Sequence, residues 1–434
     1  MAAIEQGENM TLTRDAFLDQ ARETRPWEQR RKDLGTRFLA ALSHAANNSR
    51  AYQDIYGRAG IVPQDIKGLD DIAQLPIIRM SDLVQRQKDD PPFGGFETVP
   101  LEKVRRIYVN PGLIWQPGDW DYTDATWAEG LCGAGFTTGD RILNTFNYHL
   151  WPYAFMLDVS AKMIGATIVP TGVGNTLMQV KIMQGLKVNG FLGTPSFLNT
   201  LIQRAEGMGL DPAKDLNLEK AMVGAEMLPE SLRERLEKQL GITIRQTYGT
   251  VFLGCIGYEC RHKTGLHVPD NMIVEVVDPG TGRPVEPGTP GEIVATTFSS
   301  TYPMIRFATG DLSIFSREPC ECGRTGYMLT KVLGRIDQAT KVRGTFVHPW
   351  QTDGIMARFP EVFKYRVVIT RSEDQDDMVF QVELTEDKAE TGRLEARLES
   401  DIKEYLTIKG RVEVLPRGTI PDFHKKIEDR RTWE

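Results

Sequence analysis

Apolar positions change their period along this 434-residue chain. From about Arg14 to Arg86 they recur at helical spacing. WEQRRKDLGTRFLAALSHAANNS reads as one long amphipathic helix, and the following segment alternates short helices with Pro and Gly breaks. From Val104 onward the pattern changes. RIYV, DRILNTF, ATIVPT, GFLGTP, KAMVGA and ITIRQTYG are short apolar runs bounded by turn residues. Between them, LDVSAKMIG, MQVKIMQGL, SFLNTLIQRAEGMG and PESLRERLEKQLG keep helical spacing. Such alternation predicts an α/β fold with a largely parallel sheet. MIVEVVDPGTGRPVEPGTPGEIVATTF predicts antiparallel hairpins turning at DPGTG and EPGTPG. Near the C-terminus, FKYRVVITR, DMVFQVELT and RVEVLP read as strands and LEARLESDIKEYLT as an amphipathic helix. The expected organisation is a large N-terminal α/β domain over residues 1–334 and a small α+β domain over 335–434.

Composition narrows the function. Hydrophobic residues make up 41% and charged residues 26%, ordinary values for a globular protein. A formal net charge of -7 argues against a general nucleic-acid binder. No apolar run reaches the roughly 20 residues that span a bilayer. The N-terminal MAAIEQGENMTLTRDAF lacks a basic and an apolar signal region, so the cytoplasm is the expected compartment. Five cysteines, an odd number, read as reduced thiols or metal ligands. Cys132, in LCGAGF, reads as a small core residue. Cys260, His267, Cys320 and Cys322 can make a tetrahedral structural Zn²⁺ site, with Cys255 and His262 as substitutes and buried thiols as the alternative.

The densest chemistry lies in PMIRFATGDLSIF and LGRIDQATKVRG. Asp311, after Thr-Gly, can accept hydrogen bonds from both hydroxyls of a ribose. Arg335 can hold a ribose or phosphate oxygen in a planar fork.

These motifs, with GAEMLPESL, TYG and GTIPDFHKK, resemble the adenylate-forming superfamily, and within it the phenylacetate–CoA ligase family. The N-terminal order AYQDIYGRAGI, LDDIAQLPII, PPFGGFETVPLEKVRRI is similar too. The resemblance implies activation of an aromatic or arylalkyl carboxylate as acyl-AMP and its transfer to coenzyme A. ATP, Mg²⁺ and coenzyme A would be co-substrates and cofactors, and a homodimer the assembly. It places nucleotide contacts at Gly224, Ala225, Glu226, Thr247, Tyr248, Gly249, Thr250, Asp311 and Arg335. Lys426 falls on the adenylation lysine, Asp337 on the hinge, and Gly344 on the loop lining the coenzyme A route. Phe146, Tyr148, His149 and Trp151, with Thr194, Pro195 and Ser196, fall on the acyl pocket.

Two segments depart from the family pattern. Its phosphate loop is rich in Ser, Thr and Gly and ends in Lys. The matching stretch, Asn110 to Gly118, has no hydroxyl, no lysine and two prolines. Three residues past Gly249, where the family holds Mg²⁺ with a Glu, stands Phe252. Both changes strike the pyrophosphate side. They raise an alternative: a transferase or lyase handling a CoA thioester or a preformed adenylate, or a non-catalytic binding subunit.

Overall fold

The computed structural model describes residues 17–118, 123–336, 340–343, 345–372, 375–386, 391–421 and 425–431. Chain packing divides it into two compact units. One holds the chain up to Thr309 together with Ser313–Lys331, the other Gly310–Leu312 and everything from Val332.

The first unit opens with helices α1 (Gln20–Glu23), α2 (Trp27–Asn48), α3 (Arg50–Ala59) and α4 (Met80–Asp89). Ser49 caps α3 by accepting from the Tyr52 amide, and Gly60 ends it in the left-handed conformation. A hairpin follows, β1 (Ile107–Asn110) against β2 (Ile114–Pro117). Next comes α5 (Thr123–Gly133), then β3 (Arg141–Asn144), α6 (Tyr153–Met163), β4 (Thr167–Pro170), α7 (Thr176–Leu186), β5 (Gly190–Gly193), α8 (Pro195–Gly207), α9 (Pro212–Asp215), β6 (Lys220–Val223), α10 (Glu230–Leu240) and β7 (Thr243–Thr250). Strands β4, β3, β5, β6 and β7 lie side by side and parallel. Their buried faces read as continuous apolar runs because helices α7, α8 and α10 cover them, with Leu198, Leu201, Ile202 and Leu236 packed on Phe191, Ala221 and Ile244.

The parallel sheet expected from the βα alternation forms this half, and the hairpin expected over MIVEVVDPGTGRPVEPGTPGEIVATTF pairs antiparallel in the other. Beyond β7 come β8 (Gly254–Tyr258), β9 (Leu266–His267), β10 (Ile273–Val277), β11 (Gly291–Thr296), β12 (Phe307–Ser316) and β13 (Met328–Arg335). The sheet continues from β7 in the order β8, β9, β13, β12, β11, β10, and β7–β8, β8–β9, β9–β13 and β10–β11 are antiparallel. Only Val251, Phe252 and Leu253 separate β7 from β8. So short a link allows a hairpin, whereas a parallel neighbour needs a crossover of a dozen or more residues.

The second unit contains a short hairpin, β14 (Thr340–Val342) and β15 (Thr345–Val347), then α11 (Pro349–Met356), β16 (Val362–Ser372), β17 (Gln375–Leu384), α12 (Gly392–Leu406), β18 (Arg411–Leu415) and β19 (Ile427–Asp429). Its four-stranded sheet runs β18-β17-β16-β19. Ile355 of α11 and Leu398, Ile402 and Leu406 of α12 bury Val367, Ile369, Phe380 and Val382 of that sheet. Strand β19 had no sequence signal of its own. It forms because Ile427 completes this core and pairs parallel to Val367. Among the described residues no helix is long and apolar enough to cross a membrane.

A buried charge cluster ties the first two helices to α5. Asp270 binds Arg22 of α1 at 2.7 Å, Arg25 at 2.9 Å and Arg30 of α2 at 3.3 Å. Glu129 of α5 accepts from the Asp270 amide at 2.9 Å. Burial, and then the neighbouring Glu23 carboxylate, push the Glu129 carboxyl up to about 8. The folded chain therefore keeps a proton that the unfolded chain releases near pH 4.3, so stability falls as pH rises from there to about 8 and levels off above. Glu129→Gln, which cannot ionise, is expected to flatten that decline and to melt above the parent chain at pH 8.5. Thermal melts across the pH range check this.

Candidate active site

The candidate nucleotide site forms where the carboxyl ends of parallel strands stop pairing, the usual place for a ligand in an open α/β sheet. β7 follows β6 in parallel as far as Gln246. From Thr247 it pairs antiparallel with β8, with a register shift between Tyr248 and Gly249. Thr247 is buried; Tyr248, Gly249 and Thr250 are partly exposed. Gly249 has no substitute. A Cβ there would lie 2.4 Å from the Gly254 carbonyl oxygen and 2.9 Å from the Trp127 ring.

The turn after β6 carries Gly224, Ala225 and Glu226. Ala225 sits in the left-handed region at φ 63°, a costly place for a residue with a Cβ. A Cβ on Gly224 would fall 3.2 Å from the Thr247 carbonyl and 3.3 Å from the Tyr153 hydroxyl. So the GAE turn and the TYG strand end stand against one another. Thr194 caps α8, accepting from the Phe197 amide at 3.2 Å. The Ser196 hydroxyl donates to Glu226 at 2.9 Å and lies 3.0 Å from the Thr194 hydroxyl. These bonds join the Thr194–Pro195–Ser196 loop to the GAE turn.

The proposed acyl-pocket residues divide. Phe146 is buried, its ring 4.4 Å from Tyr153 and edge-on to it. Tyr148 donates to Asp158 at 2.6 Å, and burial pushes its hydroxyl far above its ordinary value. His149 and Trp151 are exposed. The sequence reading missed Tyr153 and Trp127, whose rings meet at 4.7 Å and 90°. Both sit in helices, where an aromatic residue reads as ordinary core.

In the second unit, Arg335 lies 3.5 Å from Asp311 through Nη1 and Oδ1. Asp311 is the more buried partner, its side chain 17% exposed against 48% for Arg335. Lys426 is bonded to Asp353. Asp337 and Gly344 lie outside the described residues.

The two departures seen in the sequence meet in space. Asn110 to Pro117 folds into the β1–β2 hairpin, whose tip turns through Gly112 and Leu113 at positive φ. Asn110 donates to the Gln116 side chain at 3.0 Å, and Gln116 donates to the Val251 carbonyl at 2.7 Å. Gln87 holds the Trp115 amide and carbonyl at 2.9 and 2.7 Å. Phe252, next to Val251, is buried with its ring 6.1 Å from Phe307. Backbone donors on the strands of this stretch are engaged in strand pairing and in further bonds, the Trp115 amide to Gln87 and the Gly118 amide to the Arg106 carbonyl. The position of the family's metal-holding Glu is apolar core, and such residues do not fit Mg²⁺, which takes oxygen ligands.

Cys260, His267, Cys320 and Cys322 place one ligand atom each within 4.8 Å of one another. Cys260 and Cys320 sulfurs are 3.6 Å apart, and Cys322 Sγ is 3.4 Å from His267 Nε2. The hydrogen bond from Cys260, and then His267, hold the Cys322 thiol far below its ordinary value, while the same contact pushes Cys260 up. A thiolate in such a quartet suits a soft cation. Cys132 is buried in the aromatic cluster around Trp127.

The profile of the AMP-binding enzyme family matches residues 124–299, and that of the AMP-binding enzyme C-terminal domain matches 344–431. The phenylacetate-coenzyme A ligase of Thermus thermophilus is 30% identical over 429 residues, covering 92% of this chain and 95% of the relative. The chain belongs to the AMP-binding enzyme family, among the acyl-adenylate-forming coenzyme A ligases. The Escherichia coli phenylacetate-coenzyme A ligase is 28% identical over 403 residues, covering 89% of this chain and 90% of its own. In fold, the chain is similar to an open conformation of 2-hydroxyisobutyryl-CoA ligase solved with 2-HIB-AMP and CoA. That match has a TM-score of 0.84 at 24% identity, covering 98% of this chain and 97% of that one.

Gln116→Ala leaves the buried Asn110 amide and the Val251 carbonyl without their partner. It is expected to lower stability by about 1–3 kcal/mol in urea denaturation. A variant that unfolds with the parent would show that the strap carries no energy.

Proposed function

We propose that this chain activates an aromatic or arylalkyl carboxylate as its acyl-adenylate and passes the acyl group to coenzyme A. The observation that carries the reading is the GAE turn standing against the TYG strand end, as the Gly224 contacts describe. In this reading Tyr248 and the turn Gly224–Glu226 hold the base. Asp311 accepts from the ribose hydroxyls and Arg335 holds a ribose or phosphate oxygen. The carboxylate attacks the α-phosphorus and pyrophosphate leaves. Lys426 meets the charge that builds on the α-phosphate and the carboxylate. The coenzyme A thiol then attacks the acyl carbonyl and AMP leaves, with the small domain turning about Asp337 between the steps and Gly344 lining the thiol route. Phe146, Tyr148, Tyr153 and the Thr194–Pro195 loop shape the acyl side.

Carboxylate-dependent ATP–pyrophosphate exchange tests the reading directly. Aryl acids are expected to support it, and Lys426→Ala to slow it by about 10²–10³-fold, the scale for removing one group that stabilises transition-state charge. The Gln116 strap and buried Phe252 favour a second reading of the first step, in which the acyl group arrives as a preformed adenylate or thioester. Silence in exchange, together with thioester formation from a supplied acyl-adenylate, would select it.

The Cys260, His267, Cys320 and Cys322 quartet would hold a structural Zn²⁺, pinning the loop between β8 and β9 to the loop between β12 and β13. Elemental analysis is expected to find one zinc per chain, and Cys322→Ser to lose it with a lower melting temperature. A metal-free chain that melts unchanged would leave the quartet as buried thiols.

A further inference from the structure

Lys426 sits in a socket built within its own unit. Its backbone carbonyl accepts from the Val367 amide at 2.7 Å, fixing its start on β16. The side chain reaches α11, where its ammonium bonds the Asp353 carboxylate and lies 5.8 Å from the centre of the Tyr365 ring. Asp353 does not wait loosely for that cation. The Tyr365 hydroxyl donates to Asp353 Oδ1 at 2.6 Å and lies 2.9 Å from the Thr352 hydroxyl, which donates to the Pro349 carbonyl at 2.8 Å. Thr352 is fully buried and Tyr365 nearly so. Burial, and then the Asp353 charge, push the Tyr365 hydroxyl far above its ordinary value, so it remains a donor. A carboxylate oriented by a buried tyrosine and facing an aromatic ring is a preorganised site for one ammonium.

The pair is also open to water, with side chains 46% and 40% exposed. Half-exposed ion pairs are weak and exchange readily. Asp353 can therefore bias Lys426 without locking it.

We propose that Asp353 is the resting counter-ion of Lys426, a positioning residue that keeps the ammonium paired between turnovers and must release it before the lysine can meet a reacting phosphate. This rests on reading Lys426 as the adenylation lysine. Asp353→Asn keeps the shape and the Tyr365 bond but removes the charge. It is expected to raise carboxylate-dependent ATP–pyrophosphate exchange about two- to five-fold in kcat, with KM for the acid unchanged. Asp353→Glu restores the parental rate.

A second measurement reads the pair without turnover. Acetylation of intact protein by N-acetoxysuccinimide, followed by mass spectrometry, compares Lys426 with its exposed neighbour Lys425. Lys426 is expected to react more slowly than Lys425 in the parent chain and to gain reactivity in Asp353→Asn. Exchange that is unchanged or slower in Asp353→Asn overturns the proposal, as does a parent Lys426 as reactive as Lys425. If Lys426→Ala still exchanges, or the parent chain never does, the adenylation reading is what fails, and the labelling alone decides whether the pair exists.

Discussion

One strand has to serve two halves of a sheet, and the backbone at Gly249 is what allows it. β7 leaves its parallel neighbour at Gln246 and turns at once into a hairpin with β8. That turn brings the Gly249 Cα so close to the Gly254 carbonyl that no side chain can enter. Trp127 fills the space beneath, and Tyr153 packs edge-on against Trp127 while its hydroxyl borders Gly224. The GAE turn and the TYG strand end are set by this contact. Move the strand end by a methyl group and the GAE turn, the TYG segment and the aromatic floor all shift together.

The same hairpin explains why Asn110 to Gly118 and Phe252 depart from the family pattern. Val251 and Phe252 form the link between β7 and β8. Gln116 bonds the Val251 carbonyl, and Phe252 packs on Phe307. A phosphate loop needs free backbone amides, and a magnesium site needs an oxygen ligand. Here strand residues of the matching stretch pair in a hairpin, and Phe252 closes a core. The two departures are one structural change, a strap from the β1–β2 hairpin to the β7–β8 link.

Much of this was legible in the sequence, for reasons that differ by element. The βα alternation between Arg141 and Thr250 shows because each parallel strand is an uninterrupted apolar run between helices. The antiparallel half was harder. β8 and β9 are short and carry Gly, Cys and His, and nothing in periodicity separates a hairpin return from one more parallel strand. The Cys260, His267, Cys320 and Cys322 quartet was legible because cysteines are scarce and their spacing stands out. Asp353 was not, because an acid in HPWQTDGIM looks like any solvated helix residue until Tyr365 and Lys426 are brought to it by β16 and β19. Tyr153 and Trp127 were hidden the same way, as aromatics on helices whose partners come from distant strands.

On the proposed reading, the site holds the adenosine monophosphate half of ATP, and the strapped β1–β2 hairpin and buried Phe252 give the outer phosphates and Mg²⁺ little hold. Calorimetric titration with AMP and with ATP, each with and without Mg²⁺, tests this most directly. AMP and ATP are predicted to bind alike, and Mg²⁺ to leave the ATP affinity where it was. ATP that binds far more tightly than AMP, and only when Mg²⁺ is present, would contradict it.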